Sequence, residues 1–313
     1  MSRYLVTGGA GFIGSHVVDA LITRGDSVRV VDDLSTGCRA NLPARSSVEF
    51  VKADLAVPGV ATEAVEGIDL VIHLAAIPSV PRSVLDPELS HRANVDATHA
   101  LLIAARDVGV RRVVQASSSS VYGESRILPK HEAMQPLPLS PYGLHKLIAE
   151  QYGALFTRLY GLETVSLRFF NVFGPRQLPS SQYSGVISLF TAALLNGTAP
   201  TIYGDGEQTR DFTYVSDVVR AIIAACAVPS ASGCVINVAC GEQTSVNALY
   251  AMLQHVTGSK VAAHYGNPRS GDIRDSQADV SLARSLLAFE PTVSVEEGLR
   301  LTVDWHREGL QCS

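Results

Sequence analysis

The chain has 313 residues, 46% of them apolar and 18% charged, and a formal net charge of -5. This composition is typical of a globular protein with one large core and a smaller attached one, and it excludes fibrous and intrinsically disordered chains. The acidic balance, with no clustered Lys and Arg, argues against a nucleic-acid-binding protein.

Sequence signals for export, for a membrane and for a metal are weak. Residues 1–7, MSRYLVT, lead directly into a Gly-rich turn, so we expect no signal peptide before the fold. The apolar stretch at 218–228 is too short to span a bilayer and contains Arg220. The five cysteines and nine histidines do not show the spacing of metal ligands. We therefore predict a cytoplasmic protein that binds no metal, no membrane and no nucleic acid.

Short apolar runs alternate with helical segments along the first half of the chain. The runs YLVT, SVRVVD, VEFVKAD, LVIHLAA and RVVQASS are typical of buried parallel strands. This order predicts an α/β fold, a doubly wound parallel sheet of the Rossmann type that binds ligands at the carboxyl ends of its strands. Irregular Pro- and Gly-rich segments predict a smaller C-terminal substrate lobe over 173–313, with some segments returning to the large domain at 1–172.

A glycine motif follows the first predicted strand. TGGAGFIG places Gly8, Gly11 and Gly14 between this strand and an amphipathic helix, where glycines allow the backbone to approach a pyrophosphate. Asp32 ends the second strand, where a carboxylate accepts ribose hydroxyls and repels a 2′-phosphate. The pattern predicts NAD rather than NADP as the cofactor. Asp54 closes the third strand, and it either contacts the adenine or caps the chain.

The second motif is SPYGLHK, which contains Tyr142 and Lys146. Pro141 predicts a helix start, which places these two side chains on one helical face. A free tyrosine has a pKa near 10 and is a poor base, but a neighbouring ammonium favours the phenolate. After a dinucleotide-binding domain and a strand that ends in serines, the pair predicts a general base.

The joint order of the motifs carries a family resemblance that covers nearly the whole chain. The sequence resembles the extended short-chain dehydrogenase/reductases that act on nucleotide sugars, and most closely the UDP-hexose 4-epimerases. The motifs that carry the resemblance are TGGAGFIG, HLAA at 73–76, SVPRSVLDP, ASSSSVYG, SPYGLHK, LRFFNVFGPRQ, GDGEQTRDFTYVSDV and PRSGDIRDSQAD.

The resemblance implies an NAD-dependent isomerase that interconverts UDP-glucose and UDP-galactose, or UDP-GlcNAc and UDP-GalNAc, by transient oxidation at carbon 4. It also implies a homodimer that pairs through helices at 87–108 and 141–159. A UDP-glucuronate 4-epimerase, or a nucleotide-sugar dehydratase or reductase of the same fold, is the alternative. A non-enzymatic NAD-binding regulator would be expected to have lost the tyrosine or the lysine, and this chain has both.

The same resemblance indicates a role for the serines of the motif ASSSSVYG. Related dehydratases and decarboxylases carry acidic residues where this chain has Ser119 and Ser120, so reversible oxidation is expected here in place of elimination. Ser118 matches the hydroxyl that bridges the catalytic tyrosine and the sugar 4-oxygen. Lys146 matches the lysine that lowers the tyrosine pKa and binds the nicotinamide ribose.

The sequence indicates the sugar of the UDP-sugar substrate less strongly than it indicates the reaction. Ser276 stands where glucose-restricted epimerases carry a bulky tyrosine, and a small residue leaves space for an N-acetyl group. Glucuronate epimerases tend to have Thr and Arg where this chain has Asn171 and Leu178. UDP-glucuronate is therefore ranked third. Arg210 and the pair Arg269 and Asp272 match the family's contacts to the pyrophosphate and the uridine ribose.

The residues expected at the site fall into three groups. The catalytic group is Tyr142, Lys146 and Ser118. The NAD contacts are expected to be Gly8, Gly11, Phe12, Ile13, Gly14, Asp32, Asp33, Ser35, Thr36, Gly37, Asp54, Leu55, Leu74, Ala75, Ala76, Asn94, Ser117, Tyr142, Lys146 and Phe169. The UDP-sugar contacts are expected to be Ser118, Ser119, Ser120, Asn171, Arg176, Tyr203, Arg210, Arg269, Asp272 and Ser276.

Overall fold

The structure of the chain is a computed structural model, which describes residues 1–123, 125–177, 185–268 and 273–309. Its strands are β1 (Arg3–Thr7), β2 (Ser27–Asp32), β3 (Val48–Lys52), β4 (Leu70–His73), β5 (Arg112–Ser118), β6 (Glu163–Phe169), β7 (Val172–Phe173), β8 (Thr201–Tyr203), β9 (Thr209–Arg210), β10 (Thr213–Tyr214), β11 (Val235–Val238), β12 (Thr244–Ser245) and β13 (His264–Gly266). Its α-helices are α1 (Phe12–Thr23), α2 (Val60–Val65), α3 (Val80–Leu85), α4 (Pro87–His91), α5 (Ala97–Val108), α6 (Pro141–Tyr160), α7 (Val186–Leu195), α8 (Val215–Ala227), α9 (Val246–Thr257), α10 (Ser281–Leu287) and α11 (Val295–Arg307).

A seven-stranded parallel sheet in the order β11-β6-β5-β4-β1-β2-β3 forms the centre of the fold. The five predicted strands are β1 to β5, and the predicted doubly wound parallel sheet is confirmed. The sheet also contains β6 and β11, which were not among the predicted strands. Because all these strands run in one direction, their carboxyl ends lie at a single edge.

Helices cover both faces of this sheet, which explains why its strands are apolar on both sides. Leu5 of β1 packs in one core with residues of α2, α5 and α6, while the next residue, Val6, packs in the other with residues of α1 and α8. Both side chains are fully buried. The alternation of strand side chains thus divides the core into two layers with the sheet between them.

The C-terminal half contributes both to the lobe and to the sheet. Helices α7, α9 and α11 pack together, and β8 pairs with β13 away from the main sheet. By contrast β11 pairs with β6 inside the main sheet, so this part of the lobe sequence returns to the large domain. None of the helices in the described residues is long and apolar enough to cross a membrane.

A buried carboxylate holds three loops of the lobe together. Asp211 is fully buried and accepts hydrogen bonds from the backbone N–H groups of Cys240, Gly241 and Ala278, each at 3.0 Å. The carbonyl oxygen of Asp211 also accepts a 3.2 Å hydrogen bond from the Asn171 side chain. These bonds fix the loop after β6 relative to the loop after β11 and to the chain before α10.

Burial raises the pKa of Asp211 to about 7, so at pH 4 this carboxyl group is neutral in the fold and Asp211→Asn removes a hydrogen-bond acceptor without removing a charge. At this pH Asp211→Asn is expected to lower the free energy of unfolding by about 1–3 kcal/mol, because an amide NH₂ cannot accept and leaves a buried N–H unsatisfied. Asp205→Asn is the matched control, since Asp205 pairs with Arg274 on the surface and such pairs contribute at most about 1 kcal/mol. Urea unfolding of both variants measures the difference. Equal losses in the two variants would show that the Asp211 bonds do not hold the lobe together.

Candidate active site

The turn between β1 and α1 is closely packed at its glycines. Gly8 has a positive φ of 67°, and a Cβ added to it would lie 2.7 Å from the backbone nitrogen of Ala75. A Cβ on Gly14 would lie 2.1 Å from the carbonyl oxygen of Gly8. Only glycine fits these two positions, so the turn brings bare backbone and the N-terminus of α1 to the edge of the sheet. This cradle suits a pyrophosphate.

Asp32 at the end of β2 lies beside this turn. Its carboxylate accepts hydrogen bonds from the backbone N–H groups of Ala10 at 2.9 Å and Leu34 at 2.8 Å. Burial raises the pKa of Asp32, and these hydrogen bonds oppose that change. Gly37 packs against the same carboxylate, because a Cβ there would lie 2.8 Å from an Asp32 oxygen. The carboxylate is therefore fixed in position at the site predicted for the adenosine ribose.

A cavity of about 620 Å³ extends along the carboxyl edge of the sheet. It is large enough for a dinucleotide, and the glycine cradle and Asp32 border it, so the residues present fit NAD. Of the predicted site residues, those that line it are Gly8, Gly11, Phe12, Ile13, Gly14, Asp32, Asp33, Ser35, Thr36, Asp54, Leu55, Leu74, Ala75, Ala76, Ser117, Ser118, Ser119, Ser120, Tyr142, Lys146, Phe169 and Asn171.

Two predicted NAD contacts lie outside the cavity lining. Gly37 packs behind Asp32, as described above. Asn94 is buried in the π-helical turn Arg92–Asp96, where its side chain accepts from the Ile77 N–H at 2.9 Å and donates to the Ile77 carbonyl at 3.3 Å. Ile77 itself lines the cavity. Asn94 thus holds the loop after β4 in position.

The catalytic pair lies in the first two turns of α6. Ser140 caps this helix by accepting from the Gly143 N–H at 3.1 Å, and the helix starts at Pro141 as predicted. Tyr142 and Lys146 are 8% and 6% exposed. The Lys146 ammonium donates to the carbonyl of Ala116 at 2.9 Å and lies 6.0 Å from the centre of the Tyr142 ring. The helix therefore presents both groups to the end of β5.

Burial governs the protonation of this pair. It raises the pKa of Tyr142 to about 12, while the hydrogen bond with Ser118 lowers it. It lowers the pKa of Lys146 to about 8, while the negative charge of Glu150 opposes this change. The sequence predicted that the Lys146 ammonium favours the phenolate, and here desolvation of the phenolate is the larger effect.

The four serines at the end of β5 have different partners. The Ser117 hydroxyl donates to the carboxylate of Glu150. The Ser118 oxygen accepts from the Ser120 N–H at 3.1 Å and hydrogen-bonds with Tyr142. Ser119 and Ser120 begin a short 3₁₀ turn, and both line the cavity. Ser118 therefore contacts the catalytic tyrosine, whereas the Ser117 hydroxyl is already bonded on the α6 side.

Several predicted UDP-sugar contacts lie outside the cavity lining. Arg176 pairs with Asp19 at 2.8 Å, and Arg210 donates to the Thr209 carbonyl at 2.7 Å. Tyr203 is 36% exposed on β8, and Ser276 is 9% exposed in the chain before α10. None of these four side chains lines the 620 Å³ cavity, so any contact that they make with a UDP-sugar lies outside it. Arg269, Asp272 and Leu178 lie outside the described residues.

Among the residues that line the cavity are several that the sequence did not single out. They are Arg82 on α3, Gln177 after β7, Val186 and Ile187 on α7, and Phe212 before β10. The motifs SVPRSVLDP and LRFFNVFGPRQ contain Arg82 and Gln177, which was the available signal. Across the described ranges, no three His, Cys, Asp or Glu side chains come together as a metal site.

Comparison with known proteins places this geometry in a family. Residues 4–239 match the model of the NAD dependent epimerase/dehydratase family. The chain is 40% identical over 316 residues to the UDP-glucose 4-epimerase of Mycolicibacterium smegmatis, which covers 99% of this chain and 100% of that one.

Two solved structures are similar over the whole chain. A UDP-N-acetylglucosamine 4-epimerase from Methanobrevibacter ruminantium, in complex with UDP-N-acetylmuramic acid, has a TM-score of 0.95 and 41% identity and covers 98% of this chain and 99% of its own. The UDP-glucose 4-epimerase of Thermotoga maritima, with UDP-glucose, has a TM-score of 0.94 and 40% identity and covers 99% of this chain and 100% of its own. The resemblance read from the motifs is confirmed: the chain belongs to the NAD-dependent epimerase/dehydratase family.

Proposed function

We propose that this chain is an NAD-dependent isomerase that epimerises UDP-sugars at carbon 4, with UDP-glucose or UDP-N-acetylglucosamine as its substrate. One observation carries the proposal. Tyr142, Lys146 and Ser118 together line a cavity that fits NAD, and the neighbouring positions hold Ser119 and Ser120. Without an acid at these two positions, reversible oxidation is the reaction that the site supports.

In this reaction Tyr142 accepts the proton of the sugar 4-hydroxyl, and Ser118 holds the 4-oxygen beside it. When bound, NAD supplies the hydride acceptor, and its oxidised ring carries a positive charge. Lys146 supplies a second positive charge from the protein. Because burial alone keeps Tyr142 protonated, the tyrosine becomes an effective base only when positive charge offsets the cost of desolvating the phenolate.

Inversion at carbon 4 requires the oxidised sugar to present its other face in the same site. The protein must therefore hold the nucleotide firmly and the hexose loosely. Arg210, Arg269 and Asp272 are the proposed contacts to UDP, and Asn171, Arg176 and Tyr203 are proposed for its phosphates and the sugar. Arginine suits this role because its planar fork binds phosphate oxygens in pairs.

The identity of the sugar rests on smaller features. The serine at position 276, where glucose-restricted epimerases carry a bulky tyrosine, supports a substrate with a 2-N-acetyl group. UDP-glucuronate is the third choice, since no arginine stands at position 178 to pair with its carboxylate. A dehydratase is disfavoured by the serines at 119 and 120. A reductase is disfavoured because Asp32 repels the 2′-phosphate of NADPH.

We also propose a cytoplasmic homodimer. Leu144 on α6 is 46% exposed and lies on the helical segment 141–159, which was predicted to pair together with the segment 87–108. Two such helices from each subunit make a four-helix bundle with two-fold symmetry.

The proposed activity is tested on the purified protein loaded with NAD. Incubation with UDP-glucose, UDP-N-acetylglucosamine and UDP-glucuronate separately is expected to yield the 4-epimer of one of the first two, with the anomeric protons followed by NMR. Added coenzyme is expected to remain unchanged at the end of the reaction. Consumption of coenzyme mole for mole with product would instead identify a dehydrogenase or reductase.

Tyr142→Phe removes the proton acceptor and keeps the ring in place, so we expect turnover to fall at least about a hundredfold, as for loss of general base catalysis. Tyr160→Phe is the matched control, because Tyr160 ends the same helix and is 51% exposed. Bound NAD, measured from the absorbance of the released cofactor, is expected to be similar in both variants. Near-normal turnover of Tyr142→Phe would rule out this tyrosine as the base.

Lys146→Met is expected to stabilise the cofactor-free protein at pH 7 while removing activity. The pKa of Lys146 is about 8 in the fold and about 10.4 in the unfolded chain. Between these two pH values the unfolded chain therefore binds more protons than the folded one. The charge thus costs on the order of 3 kcal/mol below pH 8, against about 1 kcal/mol for the lost hydrogen bond to Ala116.

Wild-type stability is expected to rise with pH across this window, and the Lys146→Met variant is expected to lack that rise. Urea unfolding at pH 7 and at pH 9.5 measures it, with the exposed Lys260→Met as the control. A lower free energy of unfolding for Lys146→Met than for wild type at pH 7 would contradict the stated cost of burying the ammonium.

A further inference from the structure

Glu150 is a buried carboxylate on α6 that the proposed reaction does not use. It is 3% exposed and follows Lys146 by four residues, which places the two side chains on one face of the helix. Its first oxygen accepts from the Ser117 hydroxyl and from Arg168 Nε at 2.9 Å, and its second accepts from Arg168 Nη2 at 2.7 Å. The carboxylate is therefore fully hydrogen-bonded out of contact with solvent.

Hydrogen bonds of Lys146 and Glu150 connect α6 to two successive residues of β5. The carbonyl of Ala116 on β5 accepts from Lys146, and the next residue, Ser117, donates to Glu150 one helical turn further on. Arg168 on β6 donates to both oxygens of the same carboxylate. The following residue of β5 is Ser118, which hydrogen-bonds with Tyr142. These bonds therefore fix the distance between the end of β5 and α6 next to Ser118 and Tyr142.

We propose that Glu150 is a positioning residue: it fixes the end of β5 against α6 and places the negative charge that keeps Lys146 an ammonium. Its effect on turnover rests on the proposed function, whereas its effect on the charge of Lys146 does not. Stability alone gives a weaker account of this pair, since apolar side chains commonly replace a buried Glu–Arg pair at no loss of stability.

The charges around Lys146 support this role. Burial lowers the pKa of Lys146 to about 8, and Glu150 is the charged group that opposes it. His73 on β4 is neutral, because burial lowers its pKa to about 3, and the pKa of His145 on α6 is lowered as well. Tyr142 stays neutral, and Arg168 is paired with Glu150. Removing the Glu150 charge therefore leaves no nearby anion among these groups to hold the proton.

The test is the protonation of Lys146, followed directly by NMR. The chain has only four lysines, at positions 52, 130, 146 and 260, so ¹³Cε-lysine labelling gives four signals that single substitutions assign. In Glu150→Gln, which keeps the shape of the side chain, we expect the Lys146 titration midpoint to fall by about one pH unit, as for loss of one favourable charge at close range. An unchanged midpoint overturns the proposal.

Glu163→Gln is the matched control. Glu163 pairs with Arg112 across the same two strands, β5 and β6, but at their opposite ends. Its loss is expected to leave the Lys146 midpoint in place. A fall of equal size in this control would show that the effect is not specific to Glu150, and would also overturn the proposal. All variants are compared at the same occupancy of NAD.

Glu150→Gln leaves Arg168 buried and only partly paired, and this could prevent folding. A second variant keeps the proposal testable in that case. The double variant Glu150→Gln with Arg168→Met removes this strain and still lacks the carboxylate charge, so the same downward shift is expected. If neither variant folds, Glu150 is a residue of the core and the proposal fails.

Epimerisation assays separate this inference from the proposed function. The high-pH limit of turnover is expected to move down with the Lys146 midpoint in Glu150→Gln, so that activity recovers toward pH 6. Glu150→Asp, which keeps the charge and shortens the side chain, is expected to retain the wild-type midpoint with lower turnover. If the wild type epimerises no UDP-sugar, the proposed function fails, while the NMR titration still decides the role of Glu150.

Discussion

The site depends on holding an ammonium in a place from which water is largely removed. Lys146 is 6% exposed, and one hydrogen bond, to the carbonyl of Ala116, anchors it at the end of β5. A charge in such a place is costly, and the cost appears as the depressed pKa of this lysine. The surrounding structure opposes the cost with a carboxylate one turn away. The same burial disfavours ionisation of Tyr142, so this tyrosine needs added positive charge from a ligand before it can act as a base.

Parallel strands explain how these groups come together. Since every strand of the main sheet ends at one edge, the glycine turn after β1, Asp32 after β2, the loop after β4 and the serines after β5 all border one cavity. The catalytic pair comes from the first two turns of α6, and Ser140 and Pro141 fix where that helix starts. Cofactor fit and catalytic geometry thus follow from one arrangement of strands.

Much of this arrangement was predictable from local patterns. The glycines and Asp32 follow strand ends, and the spacing of Tyr142 and Lys146 follows the helical turn, so both motifs were located correctly in the fold. The partners of Ser117 and Asn94 were not predictable, because they depend on which residues of distant elements meet: Glu150 in one case and Ile77 in the other. The strand β6 was missed because its segment, ETVSLRF, mixes polar and apolar residues, yet Arg168 on it is buried through its pair with Glu150.

Protonation was the least predictable property, since it depends on the balance between neighbouring charge and burial. A lysine one turn from a tyrosine lowers the tyrosine pKa only where its charge outweighs the cost of burying the phenolate, and here the effect of burial is larger. The same balance explains the serine row. A carboxylate does lie beside it, but the oxygens of Glu150 are occupied by Ser117 and Arg168 and do not border the cavity. The site therefore gains a negative charge for its lysine without gaining an acid that could protonate a leaving group.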